Sequence, residues 1–197
     1  MKALSKKDEF SSSKIEELTD PELWKEVING NKKAFESLYF RHYKDLYKYA
    51  LKMSGNPGLV EDSIHDLFLK IWNRRKELQE VSGVKTYLWR SLRNGMLSKL
   101  RKKNRRLKIL NTSKDEVKPT IKLNAEELII ERENYKQIIK ELDNALSKLT
   151  PSHREVLYLK FYHGMTYDEI EEVMSINYQT ARNYVYKALK FLKEILK

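Results

Sequence analysis

The sequence predicts an all-α protein built from two small helical domains joined by a flexible linker. Three observations carry that expectation. Apolar residues recur at three- and four-residue intervals through long Leu/Lys/Glu/Tyr-rich stretches, with none of the Val/Thr alternation of strands. Glycine and proline number 6 and 4 in 197 residues, too few for a turn-rich β architecture. The helical period also fails between Arg105 and Glu126, where Asn, Thr, Ser, Lys, Asp and Pro119 mix without order. The expected division is a mobile tail over 1–20, a helical domain over 21–104, a linker over 105–126 and a second helical domain over 127–197.

In chain order, Met1 to Asp20 is polar with isolated apolar residues, the composition of a mobile tail. Asp20 is expected to cap a short helix that starts at Pro21, turns Leu23, Trp24 and Val27 to one edge and ends at Gly30. Lys32 to Met53 follows, with Phe35, Leu38, Tyr39, His42, Leu46, Tyr49 and Ala50 in period until Gly55 and Pro57 stop it. A helix from about Leu59 to Leu78 puts Ile64, Leu67, Phe68, Ile71 and Trp72 on one face. Its other face, with Asp62, Asp66 and Arg74, suits a partner or is simply solvated. Gly83 opens a third long helix with Tyr87, Leu88, Leu92, Met96 and Leu100 inward. Beyond the linker the period returns through Leu128, Ile129, Tyr135, Ile138, Ile139, Leu142, Leu146 and Leu149. Thr150 then caps a helix with Pro151 at its first position, and Val156, Leu157, Leu159 and Phe161 carry it to Gly164.

Charge points to the partner. A net charge of +11 and a pI near 9.5 favour a polyanion, nucleic acid before an anionic membrane surface. The chain has 28 acidic residues, yet none lies between Val81 and Lys114, a stretch that holds Lys85, Arg90, Arg93, Lys99, Arg101, Lys102, Lys103, Arg105, Arg106, Lys108 and Lys114. If about six of these met phosphates, affinity would fall roughly a thousandfold between low and moderate salt. Aromatic rings interleaved with such charge hold unstacked single-stranded bases. Trp89, placed off the apolar face, is the expected stacking residue, whereas Tyr87 fits a core or a stacking role equally.

The segment from Thr166 to Lys190 has the pattern of a helix-turn-helix. Thr166 and Glu169 form a capping box, Ile170, Val173 and Met174 share a face, and Ser175, Ile176 and Asn177 interrupt the period with one apolar plug. From Tyr178 the period resumes with Ala181, Val185, Ala188, Leu189 and Leu192 inward. Gln179, Thr180, Arg182, Asn183, Tyr186, Lys187 and Lys190 then point outward. Gln, Asn and Arg can make bidentate bonds to base edges and Lys neutralises phosphates, so this face suits a major groove; the alternative is an ordinary amphipathic terminal helix.

Other chemistry is not indicated. There is no cysteine, so neither a disulfide framework nor a thiolate metal site is expected, and His42, His65, His153 and His163 lack ligand spacing. No cofactor, bound metal, small-molecule substrate or enzymatic activity is expected, because no phosphate-binding glycine loop, zinc-protease pair or Ser/His/Asp pattern is present. No signal-peptide core or membrane-length apolar run is seen, so a cytoplasmic protein without membrane insertion is expected.

The block from Ala34 to Arg75, followed by Val84 to Arg106, resembles region 2 of the extracytoplasmic-function (ECF) sigma factors of bacterial RNA polymerase. Leu146 to Lys193 resembles their region 4, in the family's order and with no large region 3 between. The resemblance implies a non-enzymatic specificity subunit, with promoter DNA and core RNA polymerase (the β′ clamp helices and the β flap) as partners. It assigns Asp62, Asp66, Leu69, Trp72 and Asn73 to the clamp contact, with Phe68 in the core. It also assigns the loop Val81 to Lys85 with Tyr87, Trp89, Arg90, Arg93 and Asn94 to the minus-10 element. Gln179, Thr180, Arg182, Asn183 and Lys187 fall in the minus-35 major groove. The linker is expected to thread the polymerase channel, and an anti-sigma factor wedged between the domains is a further expected partner. His65 stands where Gln is usual, Glu171 and Ala181 where Ala and Val are usual, and Ser175 where Gly is usual. Rival readings are a helix-turn-helix regulator acting on duplex DNA without polymerase, and a nuclease or recombinase-like enzyme, which would need a clustered acidic triad.

Overall fold

The computed structural model describes residues 15–81, 83–109, 121–122 and 136–196, and every regular element among them is helical. The helices are α1 (Asp20–Ile28), α2 (Lys32–Ser54), α3 (Pro57–Asn73), α4 (Val84–Ile109), α5 (Lys136–Lys148), α6 (Pro151–Leu157), α7 (Tyr167–Met174) and α8 (Tyr178–Ile195). A 3-10 turn, Arg75–Glu77, follows α3, and a π turn, Tyr158–Tyr162, continues α6.

Local signals set most boundaries. Thr19, rather than Asp20, caps α1 through a capping box with Glu22, because Asp20 already lies inside the helix and turns its carboxylate to Arg41 and His42. Asn31 and Asn56 cap α2 and α3, with side-chain oxygens accepting backbone N–H groups that lack helical partners. Gly55 ends α2 at φ 62°, a left-handed value glycine adopts without a Cβ clash. Thr150 accepts from the His153 N–H to start α6, with Pro151 at its first position.

The first helical unit packs α1 to α4 around Leu23, Trp24, Leu38, Leu46, Val60, Ile64, Phe68, Leu88, Leu92 and Met96, all 2% exposed or less. Residues 15–20, expected within a mobile tail, pack onto this unit: Ile15 is buried, and the Arg41 guanidinium donates to the Leu18 and Glu16 carbonyls. Residues 1–14 of that tail lie outside the described residues. So does most of the expected linker, and so do Leu128, Ile129 and Tyr135. Beyond the end of α4, two linker residues are described. Ile121 is buried in the core, and Lys122 exchanges two hydrogen bonds with Lys52: its N–H donates to the Lys52 carbonyl, and Lys52 Nζ donates to its carbonyl. Helix α4 continues to Ile109, past the expected domain edge at 104.

The second unit has two apolar sides. Ala145, Leu146, Leu149, Leu157, Ala188 and Leu192 form its own core. Val156, Tyr158, Leu159, Met165, Ile170, Val173 and Met174 instead join the core of the first unit, with α7 lying along α4. The two units therefore abut through a continuous apolar interface. Leu189, expected inward, is 45% exposed, and Phe161, expected among the apolar residues that carry α6, is 54% exposed. Phe161 falls in the π turn, which shifts the side-chain period of α6, and Leu189 lies beside Tyr186 and Lys193 around an open surface depression.

Candidate nucleic-acid interface

The helix-turn-helix is assembled from local interactions. Thr166 and Glu169 close a reciprocal capping box on α7: the Glu169 N–H donates to Thr166 Oγ1 at 3.2 Å and the Thr166 N–H to Glu169 Oε2 at 2.7 Å. Ser175 then turns the chain at φ 54° and ψ 48°. It is the one non-glycine residue with positive φ among the described residues. The Ile176 N–H reaches back to the Glu171 carbonyl at 3.2 Å, which caps the helix end, while the Ile176 side chain packs on the core. Asn177 Oδ1 accepts the Thr180 N–H at 2.7 Å and starts α8.

With Ala181, Val185 and Ala188 buried, α8 presents Gln179, Arg182, Asn183 and Lys187 to solvent; Thr180 is half-buried. Gln179 Nε2 donates to Asn183 Oδ1 at 3.3 Å, so these amides share one helical face and already present their hydrogen-bonding edges together. Tyr186, 65% exposed, extends that face by a turn. The His153 imidazole is held below its ordinary pKa by burial and by the nearby Lys187 charge.

Helix α4 is different. Arg90 and Asn94 are exposed, Lys85 and Tyr87 are half-buried, and Arg101, Lys102, Lys103, Arg105 and Arg106 make an exposed basic end. Tyr87 lies edge-on to Trp24, ring centroids 5.0 Å apart, and Trp24 Nε1 donates to the Gln79 carbonyl just before the α4 loop. Within that loop Val81 is half-buried, and Ser82 lies outside the described residues.

Trp89, expected off the apolar face, is fully buried. Its ring is enclosed between Tyr49 of α2, centroid 4.7 Å away, and His163 of the second unit, 4.5 Å away. The period of α4 does leave Trp89 outside the first unit's main stripe; it is the second unit that covers it. Arg93 is engaged in the same place. Its guanidinium donates to both oxygens of Glu155 on α6, at 2.6 and 3.1 Å, and to the Met174 carbonyl at 3.3 Å. Tyr49 Oη donates to the same Glu155 at 2.7 Å. Burial alone would lower the Arg93 pKa, but the bonds and charge of Glu155 raise it, so the guanidinium stays charged. Burial and the Glu155 charge push the Tyr49 phenol well up. No sequence signal singles out Glu155, Tyr49 or His163, because each meets its partners across separate helices far apart in the chain, as with Tyr49 and Glu155 at a separation of 106.

On α3, Asp62, Asp66, Leu69 and Asn73 are exposed, Trp72 is half-buried with the Arg75 guanidinium 4.4 Å above its ring, and Phe68 is in the core. Asp66 also binds Lys99 of α4 at 2.7 Å. Between α3 and α4 lies an open groove of about 600 Å³, bordered by Asp66, Lys70, Tyr87, Asn94 and Lys99. Among the described residues no acidic or histidine cluster could hold a metal ion, and no helix is long and apolar enough to cross a membrane.

Comparison with known proteins accounts for both basic helices. Sigma-70 region 2 matches residues 38–106, which include α3 and most of α4, and sigma-70 region 4 matches residues 139–192, which hold the helix-turn-helix. Among curated relatives, the ECF RNA polymerase sigma factor SigX of Bacillus subtilis is 24% identical over 82% of this chain and 82% of its own length. SigM of the same organism is 22% identical over 82% of this chain and 94% of its own. The fold is that of CnrH, solved with the cytosolic domain of CnrY (TM-score 0.59, 21% identity, 90% of this chain and 96% of that one). It is also that of RpoE from Bartonella quintana, solved with the anti-sigma factor NepR (TM-score 0.61, 22% identity, 83% and 97%). A two-unit helical protein with both regions in this order defines a transcription initiation factor, and the chain belongs to the sigma-70 family, in its ECF class.

Proposed function

We propose that this chain is an alternative sigma factor that binds core RNA polymerase, places it at a promoter through minus-10 and minus-35 elements, and initiates transcription. The observation that carries this reading is the presence of both regions in family order, with the α8 face left exposed. In the minus-35 major groove, Gln179 and Asn183 suit adenine edges and Arg182 suits guanine, while Lys187 and the Thr180 hydroxyl suit phosphate. At the minus-10 element, Lys85, Tyr87, Arg90, Arg93 and Asn94 surround the opened strand, with Trp89 behind them. Strand opening is driven by binding: capturing extruded bases offsets the few kcal/mol lost on unstacking, and no reaction is catalysed.

The α3 face, with Asp62, Asp66, Leu69, Trp72 and Asn73, meets the β′ clamp helices, and the region 4 unit meets the β flap. The site of action is the cytoplasm. An anti-sigma partner belongs to the same reading, since RpoE of Bartonella quintana was solved with the anti-sigma factor NepR. In vitro transcription with core polymerase and a promoter library tests the proposal. Defined start sites are expected only when the protein is added. Failure to bind core polymerase, where a known sigma factor binds, overturns it.

A further inference from the structure

We infer that Tyr178, the first residue of α8, is a specificity-determining residue of the minus-35 contact and reads the C5-methyl group of a thymine. This rests on the reading of α8 as the helix that enters the minus-35 major groove.

Three observations carry it. The first is position. A recognition helix meets base edges chiefly with its N-terminal residues. Helix α8 starts at Tyr178, directly before Gln179, and the ring is 40% exposed at that end. Tyr178 stands four residues before Arg182, which places the two on one helical face. The second is that the ring is held. It lies edge-on to Tyr167 at the start of α7, centroids 5.7 Å apart and planes at 71°. Tyr167 packs on the core and carries the Lys160 ammonium 4.6 Å from its ring centre, and Lys160 Nζ is itself fixed by donating to the Met165 carbonyl at 3.1 Å. Tyr178 is therefore presented in a set orientation, and a rigid ring supplies contact area at low entropic cost.

The third is chemical. Gln179, Arg182 and Asn183 are exposed hydrogen-bonding side chains, suited to adenine and guanine edges. Thymine differs: its distinguishing mark in the major groove is a C5-methyl group, which an apolar surface recognises and a hydrogen bond does not. Between Tyr178 and Asn183 the other carbon surfaces are withdrawn, because Ala181 is fully buried and Thr180 is half-buried. The Tyr178 ring is the large apolar surface left at the reading end of α8. Its neighbours read purines by hydrogen bonds, and Tyr178 adds the complementary group for a pyrimidine.

The test uses the full chain assembled with core polymerase on a promoter selected from a library. Thymines of its minus-35 element, on either strand, are replaced one at a time by deoxyuridine, which removes only the methyl group, and affinity is measured by competition. Wild type should bind one of the substituted promoters about fourfold more weakly than the parent, the effect of exposing one methyl. Tyr178→Ala should bind that pair of promoters equally, whereas Tyr178→Phe, which keeps the ring and loses the hydroxyl, should retain the fourfold difference. Each comparison is made within one variant, so a general loss of affinity cancels. If wild type transcribes but is indifferent to every replacement, or Tyr178→Ala still discriminates, the methyl contact is overturned and the sigma reading stands. Loss of discrimination in Tyr178→Phe would assign the contact to the hydroxyl and overturn it equally. If wild type selects no promoter with core polymerase, the sigma reading fails and the proposal falls with it.

Discussion

Ser175 holds a left-handed backbone, φ 54° and ψ 48°, at the turn of the helix-turn-helix. A side chain in that conformation costs about 1–2 kcal/mol, and the sequence already marks the position as one where the family usually has glycine. The structure keeps the turn and bears the strain. Ser175→Gly should therefore stabilise the protein, although glycine's greater freedom in the unfolded chain returns part of the gain, leaving about 0.5–1 kcal/mol. The urea midpoint should rise at unchanged slope. Two residues later Asn177 acts in the opposite sense, its side chain accepting the Thr180 N–H at 2.7 Å. Asn177→Ala should cost about 1 kcal/mol in the same assay, and because α8 then frays at its reading end, minus-35 affinity should fall with it.

In the proposed minus-35 role, helix α8 would separate positioning from reading along its length. Arg182 and Asn183 stand on the exposed face near the start, and Lys187 is a turn beyond. Arg182→Ala should weaken binding to a cognate minus-35 duplex by about 1–3 kcal/mol and relax preference at one base pair. Lys187→Ala should instead weaken all duplexes alike and reduce the salt slope by about 1. Fluorescence anisotropy at several salt concentrations distinguishes the two, and equal behaviour of both variants would mean that the face meets only backbone. At this scale the sequence was informative. The capping box at Thr166, the plug at Ile176 and the buried set Ala181, Val185 and Ala188 are local or periodic features, and each stands where periodicity puts it. Leu189 escaped because periodicity cannot tell which rim of an apolar stripe finds a neighbour, and Phe161 because a π turn shifts the side-chain period.

Between the two units the sequence was silent. Trp89 reads as an exposed ring because its partners, Tyr49 and His163, belong to another helix and to the other unit, and Arg93 reads as free because Glu155 is 62 residues away. Pairing between units leaves no periodic trace. The same interface should respond to acid through His163. Burial pushes its imidazole down to about 4, with Lys85 and Lys48 adding to the effect and Asp45 opposing it. Above pH 6.5 the ring is neutral in both folded and unfolded states, and the folded arrangement keeps its full stability. As pH falls from about 6.5 towards about 4, the unfolded state binds a proton that the folded state refuses, and stability is progressively lost. Below about 4 both states are protonated and the loss levels off. Moving from pH 7 to pH 5 should therefore destabilise the wild type in urea unfolding, by about 1 kcal/mol once solvent screening of this half-buried ring is allowed for. His163→Phe keeps an aromatic ring against Trp89 without a titrating group, and it should lose much less over the same interval. A variant slope as steep as that of the wild type would mean that the ring meets solvent in the folded state as freely as in the unfolded one.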